Sequence, residues 1–395
     1  MDLHWLKPLL GRSAPFTTVY LDATASQVAG DHEAADRWKT LRRHLEQQGA
    51  APAVLDEIGE RVSQPDGRRG PHGRVLVADA DGVVVDRLLA TPPAVSQAEH
   101  GPVPALLPAV RAVDETVSVL LVAIDRTGAD LTRWRMGERE PLAGSETVTG
   151  EHDDVHKTRE GGLSRRSQSR ARDSWERNAE QVAAVLDRRV ADDPPDLVVL
   201  SGDGRAATLL REAVGQAVTE RLVEVPGGGR GEGIHVEPFR DHLGEAVATL
   251  RAHRRAAALA RYSESIGRGD GAVSTLEDVV DVLRRGQVDL LVLGVDGLPA
   301  LEACQLWVGA EPLELAATRD DLDAIGVTGT VRQMSAPVAL LRAAVGQDAR
   351  LVFAEAGEAD VHGGVGAVLR WSDTSTPGGS LLSQSADRSR VRSLG

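Results

Sequence analysis

Cysteine is almost missing from this chain. Cys304 stands alone among 395 residues, so no internal disulfide can form and a reducing, cytoplasmic setting is expected. Lysine is nearly as scarce. Lys7, Lys39 and Lys157 are the only three, and arginine supplies the rest of the 45 basic residues. With its abundant alanine, glycine and valine, the composition resembles that of a GC-rich bacterial genome. Aromatic residues make up only 3%, and the six tryptophans are too scattered to form a base-stacking platform. No apolar run approaches the roughly 20 residues of a membrane span. The opening MDLHWLKPLLGRSAP is too short and polar for a signal peptide. Positive charge is in deficit: 45 Lys and Arg against 59 Asp and Glu leave a net charge of −14. That argues against nucleic-acid binding by the molecule as a whole, but a local basic patch can still bind.

What is present is ordinary globular material. At 42% hydrophobic, a chain of this length has enough for two or three domains with their own cores. No internal repeat is visible. Residues 15–22 read as a strand, and 31–48 and 52–63 as helices with apolar stripes. Strands over 74–78 and 83–89 flank Asp81-Gly82, a strong hairpin signal. The Pro-rich stretch 92–108 reads as a connection. A second unit opens at Val117 with a buried strand over 117–125 and its hairpin partner from Ala129. A further buried strand over 196–201 turns through Gly202-Asp203-Gly204 into a helix over 205–218, and 221–225 is a short strand. The third segment begins with a charged helix over 237–262. A helix over 275–285 follows, with Ser274 or Thr275 as its N-cap, then a continuous apolar strand over 288–295. A helix over 337–344 has its proline in the first turn, and strands over 350–354 and 365–371 complete the unit. From Ser372 onward periodicity is lost, as in a disordered tail.

One stretch reverses the sign of the chain. Residues 152–190 pass from a polar loop with Gly161 and Gly162 into a run containing Arg165, Arg166, Arg170 and Arg172. They continue as an amphipathic helix with Trp175, Ala179, Val182, Ala183, Leu186 and Val190 on one face. The glycine pair permits positive φ and close approach to RNA; the plainer alternative is an ordinary surface loop. The arginines can pair with phosphates or stack on bases. Otherwise they form a solvated face beside Glu160, Asp173 and Glu176, but few acids lie within the run, which favours RNA. His152 and His156 are spaced for a helical metal site but lack a third ligand, so no metal is expected. Residues 227–233, GGGRGEG, lack the Gly-Lys-Ser/Thr ending of a phosphate loop, and Ser201-Gly202-Asp203-Gly204 is not a nucleophile elbow. No cofactor is expected.

The order of these elements resembles the bacterial relatives of archaeo-eukaryotic release factors and Pelota, including the actinobacterial release-factor-like proteins and the Balon-type hibernation factors. The resemblance rests on His156-Lys157 followed by Gly161-Gly162 and the Arg-rich helix. It rests also on LEDVVDVL over 276–283 leading into GQVDLLV over 286–292, and on the closing HGGVGAVLRW over 362–371. Together these span roughly 115–372. The first domain shows no stop-codon recognition motif.

The resemblance implies an α/β protein of three domains: a small N-terminal α/β domain over 1–113, an RNase-H-like middle domain over 114–236, and a C-terminal α/β sandwich over 237–372 that resembles small RNA-binding ribosomal proteins. The tail takes 373–395. It implies binding to the 70S ribosome, with the tip in the A site and peptidyl transferase centre, where His156, Lys157, Arg159, Gly161, Gly162, Leu163, Arg165, Arg166, Arg170 and Arg172 would meet ribosomal RNA. Release factors carry Gly-Gly-Gln at the tip; here Leu163 follows the glycines. Ester hydrolysis needs a held water and stabilised charge, and leucine supplies only its backbone N–H. The expectation is therefore a non-catalytic hibernation factor acting under stress, with elongation factor Tu as a further partner. A peptidyl-tRNA hydrolase using Gly161, Gly162 and Gln168 is the alternative, and an RNA-binding module unrelated to ribosomes is a third.

Overall fold

The computed structural model describes residues 1, 3–24, 32–64, 71–89, 91–112, 116–136, 145–149, 165–230, 236–374 and 376–377; for 32–35, 136, 145, 165–173 and 236–237 it gives backbone only. The chain is α/β, as expected, and forms two compact units. One holds 1–115 with 254–395, the other 116–253. The first break falls beside the boundary expected at 113/114. The second falls inside the helix Val236–Arg268, which runs on past the boundary expected at 236/237. No helix among the described residues is long and apolar enough to cross a membrane.

The unit formed by 116–253 is a five-stranded sheet covered on both faces. Its spatial order is Ser145–Thr149, Gly128–Met136, Val117–Asp125, Leu197–Gly202 and Leu222–Glu224. The first three strands run antiparallel, and the last two are parallel to Val117–Asp125. This is the arrangement expected of an RNase-H-like middle domain. Period-two alternation divides the faces. Leu120, Val122, Ile124, Val198 and Leu200 pack with Val182, Ala183, Leu186 and Val190 of the helix Arg165–Asp192. Val117, Val119, Leu197 and Val199 pack with Phe239, Leu243 and Val247. The helix expected over 205–218 is two, Gly204–Ala213 and Gln216–Thr219. Between them the Gly215 N–H donates to the Asp187 carboxylate at 2.9 Å, which replaces helix continuation.

In the other unit, the antiparallel sheet Gly82–Leu89, Gly73–Asp79, Phe16–Asp22, Gln97–Gly101 carries the helices His32–Gln47 and Pro52–Ser63 on one face, through Leu41, Leu45, Leu55 and Ile58 against Val19, Leu21 and Leu76. Its other face, Phe16, Tyr20, Val75 and Val77, shares one core with Val279, Leu283, Leu291, Leu340 and Leu351 from the end of the chain. There a second sheet runs Ala272–Val273, Val365–Leu369, Val288–Gly294, Arg350–Ala354. Thr275 caps Leu276–Arg284 by accepting the Asp278 N–H at 3.1 Å. Pro337 sits in the first turn of Ala336–Gly346.

The Pro-rich stretch read as a connection holds a strand, Gln97–Gly101, and a helix, Leu107–Ala112. The prolines flank the strand instead of interrupting it, and its short polar sequence suits a sheet edge. Of the stretch expected to be a disordered tail, residues 372–374 and 376–377 are described, and the Gln287 amide donates to the Thr376 hydroxyl at 2.8 Å; 375 and 378–395 lie outside the described residues.

One ion pair is built into the N-terminal sheet. Arg74, 2% exposed, donates twice to Asp86, at 2.7 and 2.6 Å, and once to the Arg61 carbonyl at 2.6 Å. Removing one partner strands the other charge. Asp86→Ala is expected to cost about 3 kcal/mol in urea unfolding, whereas Arg74→Met with Asp86→Leu recovers most of the loss.

Candidate functional site

The helix Arg165–Asp192 is 28 residues long, about 42 Å at 1.5 Å per residue. Its C-terminal part is clamped to the sheet by Ala179, Val182, Ala183, Leu186 and Val190, all under 5% exposed. Its N-terminal end carries the arginines, so the base of the helix determines where they are held.

That base is built on a close approach between two strand ends. Gly202 ends its strand with φ +134°, and a Cβ there would lie 1.9 Å from the Ile124 carbonyl oxygen; only glycine fits. The next residue, Asp203, donates its N–H to that same carbonyl at 3.0 Å. Its Oδ1 accepts the N–H groups of Arg205 and Ala206 at 3.0 and 3.1 Å, capping the helix Gly204–Ala213. Its Oδ2 takes the Arg126 Nε at 3.2 Å. Arg126 and Arg205 both lie over the Trp175 ring, with Cζ 4.7 and 5.0 Å from the centroid. Asn178, 4% exposed, donates Nδ2 to the Arg126 carbonyl at 3.0 Å. Trp175 and Asn178 thus tie the long helix to the turn after Val117–Asp125. Sequence periodicity had placed Trp175 on the apolar stripe; the structure gives it a cation–π role as well. A tryptophan beside two sequence-distant arginines carries no local signal, so this clamp was not readable from the chain.

A second cluster fixes the same hairpin. Asp125 Oδ1 accepts the Thr127 N–H at 2.7 Å, the Thr127 hydroxyl at 2.6 Å and the Gly128 N–H at 3.1 Å. Arg230 bonds to Asp125 at 3.0 Å and Asp130 at 3.1 Å. Burial pushes the Asp125 carboxyl up, but the Thr127 hydrogen bonds and the Arg230 charge outweigh it and hold the group below the usual carboxylate range. The glycine-rich loop is therefore drawn onto the hairpin by Arg230. Ser201, 2% exposed, donates to the Val225 carbonyl at 2.6 Å and accepts the Gly228 N–H at 3.0 Å. It is committed to holding this loop.

Of the residues singled out by sequence, His156, Lys157, Arg159, Gly161, Gly162 and Leu163 lie outside the described residues. Arg165, Arg166, Gln168, Arg170 and Arg172 lie on the long helix, whose first turn contains no acidic residue, with their side chains outside the description. Gln168 belongs to that helix. No group of three or more His, Cys, Asp or Glu poised for a metal occurs among the described residues.

Residues 118–268, which hold nearly all of this sheet and the long helix, match the model of Bacterial archaeo-eukaryotic release factor family 2. Over nearly its whole length the chain is similar to two uncharacterised Mycobacterium tuberculosis proteins, Rv2629 and MT2704. Each is 28% identical over 380 residues, covering 95% of this chain and 98% of the relative. Among solved structures, Archaeoglobus fulgidus Pelota aligns at TM-score 0.37 with 16% identity, over 77% of this chain and 81% of that one. The archaeal termination factor aRF1 aligns at 0.22 with 13% identity, over 93% and 96%.

The clamp and the Asp125 cluster each have a testable consequence. Trp175→Leu keeps an apolar side chain but loses both cation–π contacts, and is expected to cost about 1–2 kcal/mol in urea unfolding. Asp125 has a lowered folded pKa, so its contribution to stability is complete above the unfolded value of about 3.9 and is lost as pH falls through the lower folded value. Unfolding midpoints from about pH 6 down to about pH 2.5 should show the deficit of Asp125→Asn shrinking below about pH 4.

Proposed function

We propose that this protein acts in translation by binding the ribosome, with the N-terminal end of the helix Arg165–Asp192 and the Gly161-Gly162 pair before it directed to ribosomal RNA in the A site and peptidyl transferase centre. One observation carries the reading. Residues 165–172 hold four arginines and no carboxylate, and they open a helix. A helix N-terminus bears partial positive charge, so cations there are disfavoured by about 0.3–1 kcal/mol each. A protein with a net charge of −14 has carboxylates to spare for that turn. Their absence makes sense when a polyanion supplies the negative charge. The family match over 118–268 supports the same reading.

The protein silences the ribosome without cleaving the peptidyl-tRNA ester, because Leu163 stands where a release factor has glutamine. Gln168 lies on the helix, five residues beyond Leu163 in the sequence, and does not take the position that the glutamine has in the Gly-Gly-Gln sequence. Silencing under stress, with elongation factor Tu as a further partner, completes the proposal.

The test is sedimentation of the purified protein with vacant 70S ribosomes, with peptidyl-tRNA hydrolysis assayed in the same fractions. Co-sedimentation without hydrolysis is expected, and Arg165→Glu with Arg166→Glu should weaken binding at least about tenfold. Hydrolysis that disappears in Gln168→Ala would establish a rescue enzyme instead. No co-sedimentation at moderate salt, or equal affinity for free RNA, would overturn the ribosomal reading.

A further inference from the structure

The unit formed by 1–115 and 254–395 contains a cavity of about 290 Å³ that the ribosomal reading does not use. Its walls are largely apolar, with Leu10, Phe16, Met334, Val338 and Leu341 among them. The same walls carry Arg332 and Arg342. Neither guanidinium has a carboxylate within ion-pair distance among the described residues. Arg342 donates Nη2 to the Gly309 carbonyl at 3.1 Å and to the Ala310 carbonyl. Its Nη1 is buried with no hydrogen-bond partner among the described residues. Arg332 makes one long contact, to the Pro102 carbonyl at 3.4 Å. Arg12, at the same cavity, differs: it pairs with Asp79 at 3.1 Å and Asp81 at 3.3 Å.

Burial lowers the pKa of both Arg332 and Arg342, and Arg332 lowers Arg342 further, only partly offset by Glu314 and Glu311. A partly buried cation with an unmet donor is costly to keep, and two such cations facing one cavity repel. Arg74, a fully buried guanidinium of this unit, has the Asp86 carboxylate as its partner. Among the described residues no carboxylate meets the charge of the Arg332–Arg342 pair. Guanidinium matches carboxylate and phosphate oxygens best, and the apolar walls require an apolar body attached to that head. The volume lies at the small end of ligand pockets, about 300–1,000 Å³.

We propose that this cavity binds a small amphipathic anion, its carboxylate or phosphate head on Arg332 and Arg342 and its apolar body against Phe16, Met334, Val338 and Leu341. The site is independent of the RNA-facing helix, so it stands or falls separately from ribosome binding.

Isothermal titration calorimetry of the full chain tests it, with sodium decanoate and decyl phosphate as anionic probes, decan-1-ol as the neutral one and inorganic phosphate as the bare head. Saturable one-to-one binding of at least one anionic probe is expected, with decan-1-ol at least about tenfold weaker and no binding of inorganic phosphate. Whichever anion binds more tightly identifies the head group. Arg342→Met should weaken binding at least about tenfold. Because Arg342 also holds two backbone carbonyls, Arg332→Gln and the cavity-filling Val338→Trp provide variants that leave those bonds intact, and both should lose affinity. The proposal is overturned if neither anion saturates, if decan-1-ol binds as tightly as decanoate, or if Arg332→Gln and Val338→Trp both bind like the wild type.

Discussion

The contact between Gly202 and the Ile124 carbonyl governs the geometry of the middle sheet's working edge. Two parallel strands end together there, and the backbone approach is too close for any side chain. That closeness brings Asp203 beside the turn after Val117–Asp125, where one carboxylate caps the helix Gly204–Ala213 and holds Arg126. Arg126 and Arg205 then fix Trp175, and Asn178 adds a buried hydrogen bond. Each link contributes about 1 kcal/mol by itself. Together they turn a helix that hydrophobic packing would let slide into one with a set direction.

Direction matters because the far end of that helix is electrically unfavourable by itself. Arg165 and Arg166 in its first turn oppose the helix dipole, and the net charge of −14 gives no general attraction to RNA. Binding to a polyanion must then be local and oriented, which a rigid helix on a clamped base provides. Arg332 and Arg342 follow the same logic on a smaller scale: a cation left without its partner points to a ligand.

Much of the architecture was legible in the sequence. Short apolar runs marked the strands Val117–Asp125 and Leu197–Gly202, Asp81-Gly82 marked a hairpin, and Ser274-Thr275 marked a helix start, because each signal lies within a few residues. The strand Gln97–Gly101 was hidden by its prolines and its polar edge position. The strands Gln305–Val308, Leu315–Ala316 and Arg332–Ser335, which form a small sheet of their own, are too short to show a period. The shared core of the N-terminal sheet and the end of the chain depends on contacts between distant segments. The same holds at the site: the arginine run was plain in the sequence, whereas Arg126, Asp203 and Arg205 around Trp175 meet only in the folded chain.

The most direct test of the charge argument is the salt dependence of binding to vacant ribosomes. Log affinity should fall linearly with log salt concentration, and each of Arg165, Arg166, Arg170 and Arg172 changed to glutamine should reduce the slope by about 1. An identical slope in the wild type and the fourfold variant would contradict the account.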